Sequence, residues 1–362
     1  MGPRKVGPPV LRNNTYKKYI DGRGWGLFAS QDLPVNAPIV VIPRPLLASL
    51  DIPRLKDTCY SCFGYSRIKT SSADVDLESD HRSLLTCTGC RVVKYCNQVC
   101  GRGLPMLTNS KHHNEQQIAV EVIKKTVMLT HCTQQCQRAS WLTTHKYECQ
   151  LFARLYPKVL PSNVRAVVQM LLLRETSKAS QVEWNNFLGL QSHVEKWKSH
   201  NDETWDNITL MSKAAKEYSG TDVDRVVVQD IFCKVNSLKF STCSNDSFAF
   251  YHLLRSFQLM INSFSLSSPS QYSIGFVLHP LLALTNHSCN YNAVVEFTWN
   301  GPGTNPLLLY AARPIAKDEE VLISYIDPGD NLTARRKALE DRYFFTCNCD
   351  RCSKEDDELQ RK

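Results

Sequence analysis

No stretch of this chain approaches the ~20 consecutive apolar residues that a helix needs to cross a bilayer, although 43% of its 362 residues are hydrophobic. Its start, Met1-Gly2-Pro3-Arg4-Lys5, lacks the apolar core of a secretory signal. Charge of one sign is not abundant either. A formal net charge of +8 is modest for this length; it suits an acidic partner or transient nucleic-acid contact without arguing for either. What is left is a protein with no membrane role, expected in the nucleus, the cytoplasm or both, in a reducing setting. Its apolar content is enough for a sizeable core, and its length points to more than one domain.

Cysteine, by contrast, is plentiful. In a reducing setting the fifteen cysteines read as metal ligands before disulfides. They fall into Cys59-x2-Cys62, Cys87-x2-Cys90, Cys96, a His145-x3-Cys149 pair after Trp141, and a late Cys347-x-Cys349-x2-Cys352. Thiolates and an imidazole at such separations close tetrahedral zinc sites, where the metal replaces a core too small to fold alone. A chance cluster of buried thiols does not explain two Cys-x2-Cys pairs plus a His-x3-Cys. Cys96-x3-Cys100 also has ligand spacing, so Cys100 competes for one position. Between the first two pairs, Ser71-Ser72-Ala73-Asp74 and Glu78-Ser79-Asp80 read as a disordered excursion.

Around these cysteines the pattern changes twice. Leu11 to Leu50 reads as short strands with tight turns at Gly22, Gly24 and Gly26, and Ile39 to Ile42 is a core strand closed off by Pro43 and Pro45. From Gln150 to about Leu259 apolar residues recur at helical spacing, as at Val164, Val167, Val168 and Leu171, and again in Thr221 to Val235. Strands return afterwards: Ala293 to Trp299, Leu307 to Ala312 and Glu320 to Ile326, the last two separated by Pro314 and a Lys317-Asp318-Glu319 turn. Asn331 to Arg342 reads as a helix.

In chain order, four pieces resemble the SET-domain protein lysine methyltransferases: Asp21-Gly22-Arg23-Gly24-Trp25-Gly26, Thr285-Asn286-His287-Ser288-Cys289-Asn290, Ile323-Ser324-Tyr325-Ile326-Asp327 and Cys347 to Cys352. The cysteine-rich insert resembles a MYND zinc finger, so the whole is similar to the SET-and-MYND family. The resemblance implies an α+β fold, with a β-rich SET core of short strands and knot-like threading. A MYND finger and a helical insert split that core, and a cysteine-rich post-SET tail follows it. The implied divisions are 11–58 for the first part of the SET domain, 59–149 for the finger with an anomalous insert at 99–134, 150–259 for the helical insert, 260–330 for the SET core and 331–355 for the post-SET segment. Animal members continue into an all-helical domain where this chain ends, and the resemblance implies its absence here.

Three zinc ions are implied. Cys59, Cys62, Cys96 and one further cysteine would hold the first, Cys87, Cys90, His145 and Cys149 the second, and Cys289 with Cys347, Cys349 and Cys352 the third. Removing Val99 to Gln134 would restore the family pattern Tyr-Cys-Asn-Gln-Gln-Cys-Gln, which favours Cys136 over Cys100 for the open position. Val-Cys at the start of that stretch and Gln134 at its end are compatible with splice-junction codons. Translated intron sequence is therefore one reading; a real insertion, with a helix over Glu115 to Leu129, is the other.

By the same resemblance the cofactor is S-adenosylmethionine and the substrate a protein lysine, histone or otherwise. Arg23, Gly24 and Trp25 would hold the cofactor's amino-acid portion, with Asn262, His193 of Leu190-Gln191-Ser192-His193, the Asn286 side chain and mainly the backbone of His287. Tyr325 would be the catalytic tyrosine. Tyr325, Tyr343, Phe344 and Phe345 would form the aromatic wall of the lysine channel, with Phe264 opposite, and Tyr343 and Phe345 would cover the adenine or line that channel. A second reading makes the chain an interaction protein or transcriptional co-repressor whose finger binds proline-rich peptides. Tyr325, Asn286 and the complete third cysteine set favour the enzyme, because a binding module needs none of them together. Nucleic-acid binding has only the finger and a modest positive charge behind it.

Overall fold

The computed structural model describes residues 12–64, 84–96, 135–176, 181–200, 202–235, 263–267, 273–297 and 307–361. The expectations for 99–134, for Ser71 to Asp80 and for Asn262 lie outside these residues.

Five short strands open the chain: β1 (Arg12–Asn13), β2 (Thr15–Ile20), β3 (Gly24–Ala29), β4 (Pro38–Ile42) and β5 (Leu47–Leu50). Every residue of β4 is buried, as its β-branched run demands. Next come β6 (Leu84–Thr86), β7 (Lys94–Cys96), α1 (Gln135–Ser140), a π-helical turn at Trp141–His145 and α2 (Lys146–Leu155), within and just beyond the segment expected to be a finger. Helices α3 (Ser162–Glu175), α4 (Gln181–Leu188), α5 (Val194–His200), α6 (Asp202–Ser219) and α7 (Arg225–Val235) follow in the segment expected to be a helical insert. Then come β8 (Ser263–Ser267), β9 (Ser273–Leu278), β10 (Asn286–His287), β11 (Ala293–Phe297), β12 (Leu307–Ala311) and β13 (Leu322–Ile323), followed by α8 (Leu332–Tyr343) and α9 (Asp350–Gln360).

The strands make small sheets instead of one large one: β1-β4-β12-β11, β5-β9-β8, and the pairs β2-β3, β6-β7 and β10-β13. This is an α+β fold of short strands carrying cysteine-rich clusters. The β10–β13 pair is parallel and sets Asn286 opposite Leu322 and His287 opposite Ile323, so it joins two of the distant motifs. One apolar core runs from β4 through the finger cysteines into α3 and α7, and a smaller one gathers Cys289, Leu332, Leu339, Cys347 and Cys352.

A buried polar chain ties finger, insert and strands together. Arg165 of α3 donates to the carbonyls of Leu160 (3.0 Å) and Leu50, Gln169 donates to the Tyr60 hydroxyl (2.8 Å), and that hydroxyl donates to Glu148 Oε2 (3.2 Å). These bonds satisfy part of the chain's buried polar demand, and Arg165 Nη1 and Glu148 Oε1 stay without a hydrogen-bond partner.

Several elements differ from the sequence reading. The strand expected over Glu320 to Ile326 shrinks to β13, because the Tyr325 N–H goes to His287 Nδ1 (3.0 Å) instead of a neighbouring strand. The helix expected from Thr221 starts at Arg225, after Asp224 Oδ1 accepts from the Val226 N–H (2.7 Å). Asn331 caps α8 by accepting from the Ala334 N–H (2.9 Å), and α8 ends at Phe344 in the left-handed region, with φ 60°. Helix α9 was not anticipated; its charged sequence has almost no apolar stripe, and only Cys352 is buried in it.

Candidate active site and metal centres

Three groups of cysteine and histidine converge, the ligand atoms of each lying within 4.8 Å of one another: Cys59, Cys62, Cys96 and Cys136; Cys87, Cys90, His145 and Cys149; Cys289, Cys347, Cys349 and Cys352. Zinc–sulfur bonds of about 2.3 Å in a tetrahedron put the sulfurs about 3.8 Å apart. Cys62 and Cys96 stand 3.5 Å apart, Cys87 and Cys149 3.8 Å, Cys289 and Cys347 3.9 Å, and Cys289 and Cys352 3.5 Å. The donor chemistry and the closure both fit zinc.

Cys136 completes the first set among the described residues, and Cys100 lies outside them. In the second set His145 turns Nε2 to Cys87 (3.4 Å) and Cys90 (3.7 Å) and Nδ1 towards the buried Glu148 (3.9 Å). That is the orientation a carboxylate gives a zinc-ligating imidazole. In the third set burial would raise the Cys349 thiol, but N–H groups of Cys352 and neighbouring sulfur bring it down to about 6, which favours the metal-binding thiolate.

Beside the third cluster lies a cleft of about 860 Å³, lined among others by Arg23, Trp25, Gln191, His193, Lys196, Asn286, His287, Tyr325, Tyr343, Phe344, Phe345 and the Cys347–Asp350 segment. The β2–β3 turn forms one wall. Gly22 and Gly24 have φ of 72° and 79°, which side chains other than hydrogen rarely adopt. A Cβ on Gly24 would stand 2.9 Å from Gln191 Nε2; one on Gly26 would stand 2.9 Å from both Asn286 Nδ2 and Glu320 Oε1. The glycines therefore let this wall close onto the insert and onto Asn286.

Glu320, 12% exposed, organises that corner: it accepts from Asn286 Nδ2 (2.8 Å) and pairs with Arg23 (2.9 Å). Tyr325 donates its hydroxyl to the Thr285 carbonyl (2.6 Å), and its ring lies 4.8 Å from Tyr343 and 5.3 Å from His287. Burial pushes the Tyr325 phenol up and Tyr343 up to about 12, so both are neutral at pH 7. Burial, with Lys196 beside His193 and Arg335 beside His287, holds both imidazoles down at about 4.

The SET-domain family profile matches residues 24–326, most of the chain. The chain belongs to the SET-domain family. It is 29% identical to mouse histone-lysine N-methyltransferase SMYD3 over 62% of this chain and 47% of that protein. It is 25% identical to the fission-yeast SET domain and MYND-type zinc finger protein 6 over 91% of this chain and 50% of that one. The chain thus spans about half the length of these relatives. The crystal structure of the SET domain of LSMT with lysine and AdoHcy overlaps 94% of this chain and 54% of that one, at 13% identity and TM-score 0.31, a likeness too slight to build on.

In this SET-domain chain, eight of the residues picked from sequence line one cleft: Arg23, Trp25, His193, Asn286, His287, Tyr325, Tyr343 and Phe345. Gly24 sits in the same wall. Phe264 does not join them; half-buried on β8, it packs against the main core. His193 is not on a helix but precedes α5 with φ 54°. The His287 ring accepts the Tyr325 N–H at Nδ1 and so ties two of the motifs together. Phe344, a candidate wall residue from sequence, lines the cleft as well. Sequence reading missed Glu320 and the Gln191 side chain. A glycine hairpin whose missing side chains face Asn286 points to Glu320, but only the fold reveals that facing.

Proposed function

We propose that the chain is an S-adenosylmethionine-dependent protein lysine N-methyltransferase. The observation that carries this is Tyr325: its O–H is committed to the Thr285 carbonyl, so its phenolic oxygen is left as an acceptor at the floor of an aromatic cleft. Bound there, S-adenosylmethionine would supply an electrophilic methyl for in-line transfer to an amine. The cleft suits such a molecule: its volume is in the range of small-molecule sites, and one wall is aromatic and the other polar.

The chain's own residues then have separable tasks. The glycine turn gives the backbone close approach, Arg23 and Glu320 hold Asn286 in place, and Lys196 and His193 close the insert side. Tyr325 accepts an N–H of the incoming amine and so directs its lone pair; as a neutral phenol it does not take the proton. A lysine of ordinary pKa ~10.4 must lose a proton first. Desolvation between the tyrosine rings lowers that pKa while their π-faces tolerate the cation until it does. Cys289, Cys347, Cys349 and Cys352 would hold zinc, pinning the Phe345–Asp350 segment as the cleft's far wall.

Incubating purified protein with labelled S-adenosylmethionine and a cell extract, followed by mass spectrometry of labelled sites, tests the activity and names the substrate. Histone lysines belong in that screen because of the mouse relative's name. Cofactor binding without transfer to any protein would sink the enzymatic reading.

A second reading rests on Trp141 and Leu142, 44% and 59% exposed beside the second cluster, an apolar pair suited to a proline-rich peptide. Titrating such a peptide while following Trp141 fluorescence, with Trp141→Ala as control, separates docking from catalysis.

A further inference from the structure

One arginine stands where an all-thiolate cluster needs it. A zinc ion held by four thiolates leaves two negative charges in excess, and burying that excess is costly unless a cation and hydrogen bonds compensate it. At the third cluster the cation is Arg335 of α8, 1% exposed. It donates to Cys352 Sγ (3.6 Å) and Glu355 Oε2 (2.6 Å) from one terminal nitrogen, and to the Asp330 carbonyl (2.6 Å) from the other. Arg336 next to it is engaged separately, with Asp356 (2.9 Å).

We propose that Arg335 is a positioning residue for the metal of the third cluster: its buried guanidinium offsets the charge of the Cys289, Cys347, Cys349 and Cys352 thiolates and sets how tightly zinc is kept. The second cluster differs: one thiolate is replaced by His145, the excess falls to one charge, and the imidazole faces the buried carboxylate of Glu148. Because Cys347 and Cys349 line the cleft, Arg335 also decides how firmly that wall is fastened. The inference rests on zinc occupying the third cluster and not on methyl transfer.

Zinc release from the full chain into a chromogenic chelator tests it, with Cys347→Ser marking the third ion's share of the signal. Arg335→Met keeps the bulk and removes the charge. The third zinc should then leave or weaken by about 10–100-fold, the usual size of an outer-shell loss, while the two finger zincs keep wild-type kinetics. Arg335→Lys, which keeps charge without the fork, should fall between. Glu355→Gln removes the salt bridge but leaves the guanidinium by the sulfurs, and should stay close to wild type. Wild-type zinc release in Arg335→Met, or equal loss in Glu355→Gln, overturns the proposal and leaves Arg335 as a tie between α8 and α9. If Arg335→Met does not fold, Arg335→Lys decides: release faster than in Glu355→Gln supports the proposal, and wild-type release overturns it. A wild-type chain whose zinc count Cys347→Ser leaves unchanged overturns it along with the metal assignment.

Discussion

Replacing Tyr325 by phenylalanine removes one oxygen from the cleft and leaves its shape. Two consequences follow, and they must be separated. The Thr285 carbonyl, 1% exposed, loses the donor 2.6 Å away. A buried acceptor left unpaired costs about 1–3 kcal/mol of stability, which lowers the melting temperature without touching chemistry directly. The catalytic loss is larger in effect: removing one group positioned for the transition state costs about 2.7–4 kcal/mol, or roughly 10²–10³ in rate. The Tyr325 N–H to His287 Nδ1 bond (3.0 Å) and the tilted ring contact with Tyr343 do not involve the hydroxyl, so the cofactor's surroundings persist. Single-turnover methyl transfer at saturating cofactor, well below the lowered melting temperature, should fall by that factor while calorimetric binding of S-adenosylhomocysteine stays at the wild-type level. Wild-type turnover in the variant would refute the role of Tyr325; lost cofactor binding would mean the cleft had collapsed.

Three further expectations concern metal, packing and acid. Elemental analysis should find about three zincs per chain if each closed set takes one ion. Cys136→Ser should remove one and Cys100→Ser none; the reverse would reassign the ligand, and transcripts containing the 99–134 segment would argue against its being intron sequence. Gly26→Ala puts a methyl 2.9 Å from Asn286, Glu320 and Ile20, so it should cost about 1–3 kcal/mol by overpacking and weaken cofactor binding in calorimetry; unchanged affinity would remove this corner from the site. His279, 3% exposed, is held down at about 4 by burial, so an unfolded chain with an ordinary histidine takes up the proton first. Its contribution is complete above about pH 6.5 and is lost as pH falls towards 4, by up to about 1.4 kcal/mol per pH unit. His279→Asn keeps an acceptor for the Leu281 N–H, and a denaturation series across that range should show a shallower slope in the variant.

The paired donors Cys59/Cys62, Cys87/Cys90, His145/Cys149 and Cys347/Cys349/Cys352 were legible in the sequence because zinc demands donors a few residues apart, and such spacing survives without knowledge of the fold; the choice of Cys136 rested on the family pattern. The same holds for β4, whose unbroken β-branched run can only be a buried strand, and for the β2–β3 turn, where glycines announce positive φ. Joining Cys289 to three cysteines near the chain end, or Asn286 to Tyr325, was open to sequence only through family resemblance, since no local rule links residues so far apart. Tertiary structure alone decided the rest. It sent Phe264 to the core, because facing depends on which surface a strand presents. It ended β13 early by giving the Tyr325 N–H to a histidine ring. It also buried Glu320 against Asn286 and Arg335 against Cys352, two charges that in sequence look like any others on a solvated surface. A charge acquires its role from what surrounds it in space, and that environment is assembled by the burial of distant apolar segments, not by its neighbours in the chain.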